Sequence, residues 1–282
     1  MAGVSAKELR ARIHSMESTR QITKAMEMVA ASKLRGAQDK AISSRPYFET
    51  LYNAVSELSA YRADSASPYS ASHADGKVCC IVIAGDRGLA GGYNNNVLKT
   101  VWEKLDGRDA ECLPLGKKAV EFCSSRKLPL LSGEYRQAAD VSVGDCFTMA
   151  RLVCQAFLQG KYSEVLLGYT NFVSVLNQSP AVLRLLPLEA SAPNAKHGAR
   201  SILFEPSCES VYDAIIPEYL GGLIYGALCE SVASEQAARR TAMDAATKNA
   251  DEMISGLNLQ FNRARQGAIT QEITEIVAGA EQ

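Results

Sequence analysis

The residues most able to do chemistry in this chain are eight cysteines, at positions 79, 80, 112, 123, 146, 154, 208 and 229. A zinc site or a dithiol exchanger would pair two of them as C-x-x-C, and no such pair occurs. Cys79 and Cys80 lie inside the apolar run VCCIVIA, and Cys146, Cys154 and Cys229 lie in helical patterns. An unpaired cysteine packs as a small hydrophobe, so structural thiols in a reducing compartment are expected. The histidines, His14, His73 and His197, are isolated from one another and from any carboxylate or thiol at ligand spacing, so no metal site is expected. Gly85, Gly88, Gly91 and Gly92 follow a strand-like run, where a phosphate loop would sit. A Walker loop needs Gly-Lys-Ser/Thr opening a helix, and the G-x-G-x-x-G spacing also fails here. The glycines read as a tight turn. No triad spacing appears either, so the chain offers no catalytic constellation and no cofactor site.

Composition narrows the class further. With 282 residues and a net charge of −1, nothing marks the whole chain as a nucleic-acid binder. No apolar run reaches the roughly 18 residues of a membrane span. The opening MAGVSAKELRARIH has no apolar stretch and mixes acid with base, unlike a targeting peptide. A cytosolic location, or the cytosolic face of a membrane, is therefore expected.

The elements fall into three regions. Residues 3 to about 61 read as helix, with Pro46 expected to kink or briefly break it. A Ser/Ala/Pro/Gly loop, RADSASPYSASHADGK, marks a boundary. From Lys77 to about Leu188 strands and helices alternate: VCCIVIA, AECLPLG, LPLLSGEY and EVLLGYTNFV as strands, with helices between them. AVLRLLPL closes the region as an antiparallel edge strand. This order predicts a mostly parallel α/β sheet with covering helices. Another loop, EASAPNAKHGARS, leads to a proline-free helix from Glu218 to about Ala280, with Pro217 in its first turn.

That last helix carries a heptad row, Ala250, Ile254, Leu257, Phe261, Ala264 and Ala268, in alternating steps of four and three. A second row, Ile269, Ile273, Ile276 and Ala280, continues one position over. Residues 1–60 hold nine Lys/Arg against six Asp/Glu, and residues 208–282 hold five against eleven. Opposite charge at opposite chain ends predicts antiparallel pairing into a coiled coil that projects beyond the sheet. One stretch does not fit a simple two-helix seam. Around TRQITKAMEMVAASKLR, Thr19–Arg35, the charges Glu17, Arg20, Lys24 and Glu27 crowd into a band about 80° wide while apolar residues cover most of the remaining circumference. Such a helix calls for a sleeve of other chains around it.

The residues carrying these features resemble a known family. IHSMESTRQITKAMEMVAASKLRGAQ closely resembles the N-terminal helix of the gamma subunits of F-type ATP synthases. IAGDRGLAGGYNNN is similar to that family's Ser-Asp-Arg-Gly-Leu-Cys-Gly-Gly turn, and ARQGAITQEITEIVAGA to its C-terminal signature. The likeness spans essentially the whole chain. It implies an α/β fold class: a long antiparallel coiled coil of N- and C-terminal helices (1–61 and 208–282) plus a Rossmann-like α/β foot domain (77–190). It also implies a non-catalytic rotor shaft without cofactor or metal. Its partners would be the alpha, beta and epsilon subunits, the c-ring, and delta through the complex, with no nucleic acid. The place implied is the cytoplasmic face of a bacterial cell membrane, as a peripheral protein.

Matching residue to residue, the resemblance assigns Arg20, Lys24 and Met26 to the acidic lever of a beta subunit, with Glu17 and Glu27 diluting the basic band. Arg265 and Gln266 match the pair that meets a beta-subunit loop, Ile269, Ile273, Ile276 and Val277 the apolar top bearing, and Glu205 the acid near the c-ring. Gly85, Ala90 and Tyr93 depart from the turn's usual residues, and Pro217 and Gln282 from the C-terminal pattern. The segment between Leu188 and Phe204 lacks the cysteine-bearing insertion of photosynthetic eukaryotes, so thiol switching is not implied. Two other classes stay open on the residues alone. One is a coiled-coil scaffold with an α/β binding module, which would expect polar outer faces along the rod. The other is an α/β enzyme with helical dimerisation arms, which ATP binding by the purified chain would favour.

Overall fold

A computed structural model describes residues 5–61, 67–71, 73, 76–132, 137–188 and 205–280. Its elements are α1 (Ala6–Tyr61), β1 (Lys77–Ile83), α2 (Tyr93–Leu105), β2 (Ala110–Leu115), α3 (Lys117–Ser125), α4 (Val143–Leu158), β3 (Tyr162–Phe172), β4 (Gln178–Leu186) and α5 (Cys208–Ala280). The chain packs as two units, Ser32–Ala238 and the two outer segments 1–31 and 239–282, and both long helices contribute to each.

In the first unit four strands form one sheet in the order β2-β1-β3-β4. β1 runs parallel to β2 and β3, and β4 returns antiparallel along β3 as the expected edge strand. The continuous run Val78–Ile83 is fully inside because helices cover both faces. One face packs on α4 and the lower part of α5 through Cys79, Ile81, Phe157, Ile216, Leu220 and Ile224. The other packs on α2 and α3 through Cys80, Val82, Val97, Val101 and Cys123. α5 comes close to its neighbours because adjacent glycines open its surface. A Cβ on Gly221 would lie 2.2 Å from the Phe147 ring, and one on Gly222 would lie 2.7 Å from the Phe48 ring.

Of the segment LPLLSGEY, the described residues 128–132 do not form a full strand. They make a single parallel bridge, Leu130 to Cys112, with residues 133–136 outside the described set. Pro129 explains the brevity, since it can accept from the Cys112 amide but has no N–H to donate. The same bridge shows why Pro114 is tolerated in β2. Cys112 turns its backbone polar groups outward to 129–131, so Pro114, two residues on, has its nitrogen on that outer side and breaks no bond to β1.

α1 runs through Pro46 without a break, as one helix from Ala6 to Tyr61, and one expectation about the other long helix is corrected. α5 begins at Cys208, and Pro217 lies inside it, not at its first turn. A proline inside a helix removes the bond to the carbonyl four residues back, here Asp213. The turns around it are held by tertiary burial instead, through Tyr212, Ile216, Leu220 and Ile224. The loop expected before β1 contains a short 3-10 turn, Pro68–Ser70, capped by Ser67 Oγ. The loop at 189–201 lies outside the described residues, and so does His197.

In the second unit the outer parts of α1 and α5 pair antiparallel. Arg20 reaches Asp251 at 3.2 Å, and Thr23 Oγ1 lies 2.8 Å from Thr247 Oγ1. The α5 side of the seam is the expected heptad row from Ala250 to Ala264, but Ala268 is exposed and ends outside it. The register explains this: with Arg20 level with Asp251, Ala6 lies level with about Arg265, and no described part of α1 continues alongside. The α1 side is Leu9, Ile13, Met16, Thr23, Glu27 and Ala30, all shielded to some degree, and the exposed Arg20, which reaches Asp251, completes the same alternation of four and three between Met16 and Thr23.

Candidate functional site

The glycine turn links β1 to α2 at the carboxyl edge of the parallel strands. Gly85 is buried there, with its N–H donating to Asn94 Oδ1 at 2.7 Å and its carbonyl accepting from the Lys118 amide at 3.0 Å. A Cβ at Gly85 would stand 2.8 Å from the Glu235 carboxylate, so α5 packs directly against the turn. Asp86 accepts from the Lys117 amide at 3.0 Å and so caps α3. Gly116, at φ +91°, passes so close to the Ala84 carbonyl that a Cβ would fall 1.9 Å from its oxygen. The turn is a structural corner that brings β1, α2, α3 and α5 together.

A second junction ties α5 to the sheet. β3 outruns β1, whose last partner on it is Gly168, so the Thr170 backbone has no strand on that side. Ser231 Oγ accepts from the Thr170 N–H at 3.1 Å, and Ser234 Oγ donates to the Thr170 carbonyl at 3.4 Å. All three residues are buried, so these hydroxyls replace a missing strand in satisfying main-chain groups. Nothing in their sequence spacing distinguished them from ordinary helix serines.

None of the eight cysteines is in a disulfide, and all but Cys208 are buried. Burial pushes the thiols of Cys79, Cys146 and Cys154 up to about 12, far from the reactive thiolate range. His73 stacks edge-on against Phe157, and His14 is exposed on α1. Among the described residues no three His, Cys, Asp or Glu side chains converge as metal ligands. No helix there is long and apolar enough to cross a membrane.

The surface that stands out is the outside of the coil. Ile22, Met28 and Val29 on α1 are 61, 61 and 56 % exposed, and Met253 and Leu259 on α5 are exposed as well. These lie outside the seam, which is already filled. Past the register end, Ile269, Ile273, Ile276 and Val277 sit on a helix with no described neighbour, and Ile276 is 66 % exposed. Arg265 and Gln266 are exposed on the first turn of that same stretch.

The residues singled out by resemblance do not form one cluster. Arg20 is engaged by Asp251, and Lys24 donates to Glu27 Oε2 at 2.8 Å. The hydrogen bond to Glu27 and the charge of that carboxylate hold the Lys24 ammonium above its ordinary value. Met26 is half-buried. Glu205 is exposed in the other unit, preceding Pro206 through a cis peptide bond and lining a shallow groove with Ser210, Val211 and Glu218. The reading from residue types overlooked Thr23, Thr247 and Asp251 and took Glu27 only as a charge diluting the basic band, not as a seam residue. Counting polar residues into the heptad rows would have found them.

A mixed sheet with covering helices, and an antiparallel pair of the chain's terminal helices with apolar residues on its outside, define the class of fold to be compared. Comparison with known proteins gives the family. A family model described as ATP synthase matches residues 5–282. The ATP synthase gamma chain of Ruminococcus albus is 45 % identical over 276 residues, covering 96 % of each chain. That of Heliobacterium modesticaldum is 42 % identical, covering 97 % of each. Among solved structures, a chain of the central stalk and c-ring of the Tetrahymena thermophila mitochondrial ATP synthase matches with a TM-score of 0.59 and 27 % identity, covering 80 % of this chain and 99 % of that one. A chain of the Euglena gracilis mitochondrial enzyme shares the fold at a TM-score of 0.69 and 18 % identity, covering 98 % and 93 %. The chain belongs to the ATP synthase gamma chain family.

Proposed function

We infer that this chain is the central rotor shaft of an F-type ATP synthase, turning inside a ring of alpha and beta subunits and coupling ion flow through a c-ring to ATP synthesis or hydrolysis. The observation that carries the reading is an already paired coil whose outward residues Ile22, Met28, Val29, Met253 and Leu259 remain apolar. A two-stranded coil needs only its seam to be apolar, and exposed apolar patches mark partner surfaces. Unbranched methionines suit a surface that meets several partner conformations in turn, because they adapt their shape at low cost. A plain scaffold has no use for such a surface.

In this reading the chain is non-catalytic and binds no cofactor itself. Residues 1–61 and 208–282 form the shaft, and residues 77–190 form the foot. Arg20, Lys24 and Met26 face beta-subunit levers, Arg265 and Gln266 meet a beta-subunit loop, and Ile269, Ile273, Ile276 and Val277 turn in an apolar bearing. Glu205 lies at the foot beside the c-ring, with epsilon alongside and delta joined through the complex. The whole is peripheral, on the cytoplasmic face of a bacterial membrane. The test is gentle isolation followed by mass identification of what stays bound. Alpha and beta chains in a three-to-one ratio to this chain are expected. A clean monomer that binds ATP on its own would overturn the reading.

A further inference from the structure

We propose that Glu27 is a positioning residue for Lys24, holding its ammonium on the shaft so that an acidic partner receives it only at angles where the partner's carboxylate outcompetes the tether. The proposal rests on the reading of Lys24 as a beta-subunit contact. Lys24 Nζ lies 2.8 Å from Glu27 Oε2, and the two side chains are 55 and 15 % exposed respectively. The acid is therefore anchored in the coil, while the cation's stem is free to swing. Glu27 also occupies a seam position of α1, between Thr23 and Ala30, where an apolar residue would pack better. An ordinary surface pair one turn apart has no reason to spend a seam position.

The surroundings fit a charge-balanced device. Across the coil, Lys248 Nζ pairs with Asp244 Oδ2 at 2.8 Å. Lys24 lies in the field of Asp244 and Lys248, and Lys248 in the field of Glu27. Two cations and two acids thus alternate across the helix pair, and a turn further along Arg20 is matched by Asp251. A lone ammonium on a sliding surface would gain a whole ion pair at one angle and lose it at the next, with desolvation enlarging the difference. A tethered ammonium only exchanges one carboxylate for another, so the contact is kept while the angular trap becomes shallower.

The experiment is ATP turnover by the reconstituted alpha, beta and gamma assembly as a function of ionic strength. Glu27→Gln keeps size and helix propensity but releases Lys24. It is expected to slow turnover about threefold at low salt, with recovery as salt shortens the screening length. The effect should vanish in a Lys24→Ala background. If Lys24→Ala alone leaves rate and salt dependence untouched, Lys24 meets no acid, and the underlying contact fails whatever Glu27 does. If Lys24→Ala acts but Glu27→Gln is silent, or the Glu27→Gln effect persists without Lys24, the tether is wrong and Glu27 only packs. Subunit stoichiometry and thermal unfolding are followed for each variant. Should Glu27→Gln not assemble, Glu27→Asp, whose shorter arm weakens the tether without removing the charge, should give the same salt dependence at smaller amplitude. An unchanged profile for Glu27→Asp then overturns the tether.

Discussion

In the sheet unit, Ile81 and Ile83 of β1 are buried on both sides by strands and helices of the same chain; in the coil unit, Ile22 on α1 has the same kind of side chain and stands mostly in solvent. The difference lies in how much apolar surface each architecture can absorb. A sheet with covered faces takes up every residue of a strand, so a continuous apolar run is fully used. A two-stranded coil takes up two positions in seven, and whatever apolar residues lie elsewhere are left for another molecule. Burial in the first unit reports stability, and exposure in the second reports partnership.

The sharpest way to break this contrast is to truncate one isoleucine in each unit. Ile81→Ala should cost about 2–5 kcal/mol, because it leaves a cavity between close-packed layers. Ile22→Ala should stay within about 0.5 kcal/mol. Denaturant unfolding followed by helical circular dichroism measures both; equal costs would mean that the coil surface is not a free one. Ser231→Ala should cost about 1–3 kcal/mol, because it strands the buried Thr170 N–H. Faster hydrogen exchange at the Thr170 amide would locate the loss.

Arg265→Ala combined with Gln266→Ala should behave in the opposite way. Unfolding of the isolated chain should not change, since both residues are exposed. Turnover of the assembled complex should fall about tenfold, equivalent to roughly 1.4 kcal/mol, on loss of a charge-assisted contact. A stability change without a rate change would assign these residues to packing.

The smallest effect concerns Glu111, which accepts from Lys161 Nζ and Tyr162 Oη, both at 2.6 Å. Burial alone would raise its carboxyl, but the hydrogen bonds from Lys161 and Tyr162 prevail and hold it below the ordinary 4.5. A lowered folded value gives stability that is present above the unfolded value and lost as pH falls through the folded one. Glu111→Gln should therefore cost under about 1 kcal/mol at pH 7 and remove part of the acid-side slope below about pH 4.5. An unaltered slope would show that the pair is solvated in both states.

These residues also show what can be read without coordinates. VCCIVIA announced a doubly covered strand, and AVLRLLPL the returning edge strand, because burial on fixed faces leaves a direct periodic trace. LPLLSGEY carried the same trace, but its described residues 128–132 make one bridge, where Pro129 has no N–H to donate. The start of α5 was obscured by Pro217, although Tyr212, Ile216, Leu220 and Ile224 already step by four on both sides of it. The α1 seam escaped a search for apolar residues because Arg20, Thr23 and Glu27 fill its rows with polar groups paired across the coil or along it. Ser231 and Ser234 could not be singled out at all, since their role depends on β3 outrunning β1. The outward apolar face was visible as a conflict with a simple seam, but the identity of its partners came only from resemblance.

The cysteines have a practical consequence. All eight fall between residues 79 and 229, within the sheet unit, and the coil unit has none. In the folded chain a thiol reagent meets one partly accessible target, Cys208, while seven others stay covered. The mass added over time by an alkylating agent is therefore a tally of sheet-unit openings, unaffected by fraying of the coil. Seven adducts arriving together would mark a single cooperative opening, and arrival in groups would map the order in which α2, α3 and α4 let go. A cysteine introduced anywhere on the coil would be read against a silent background.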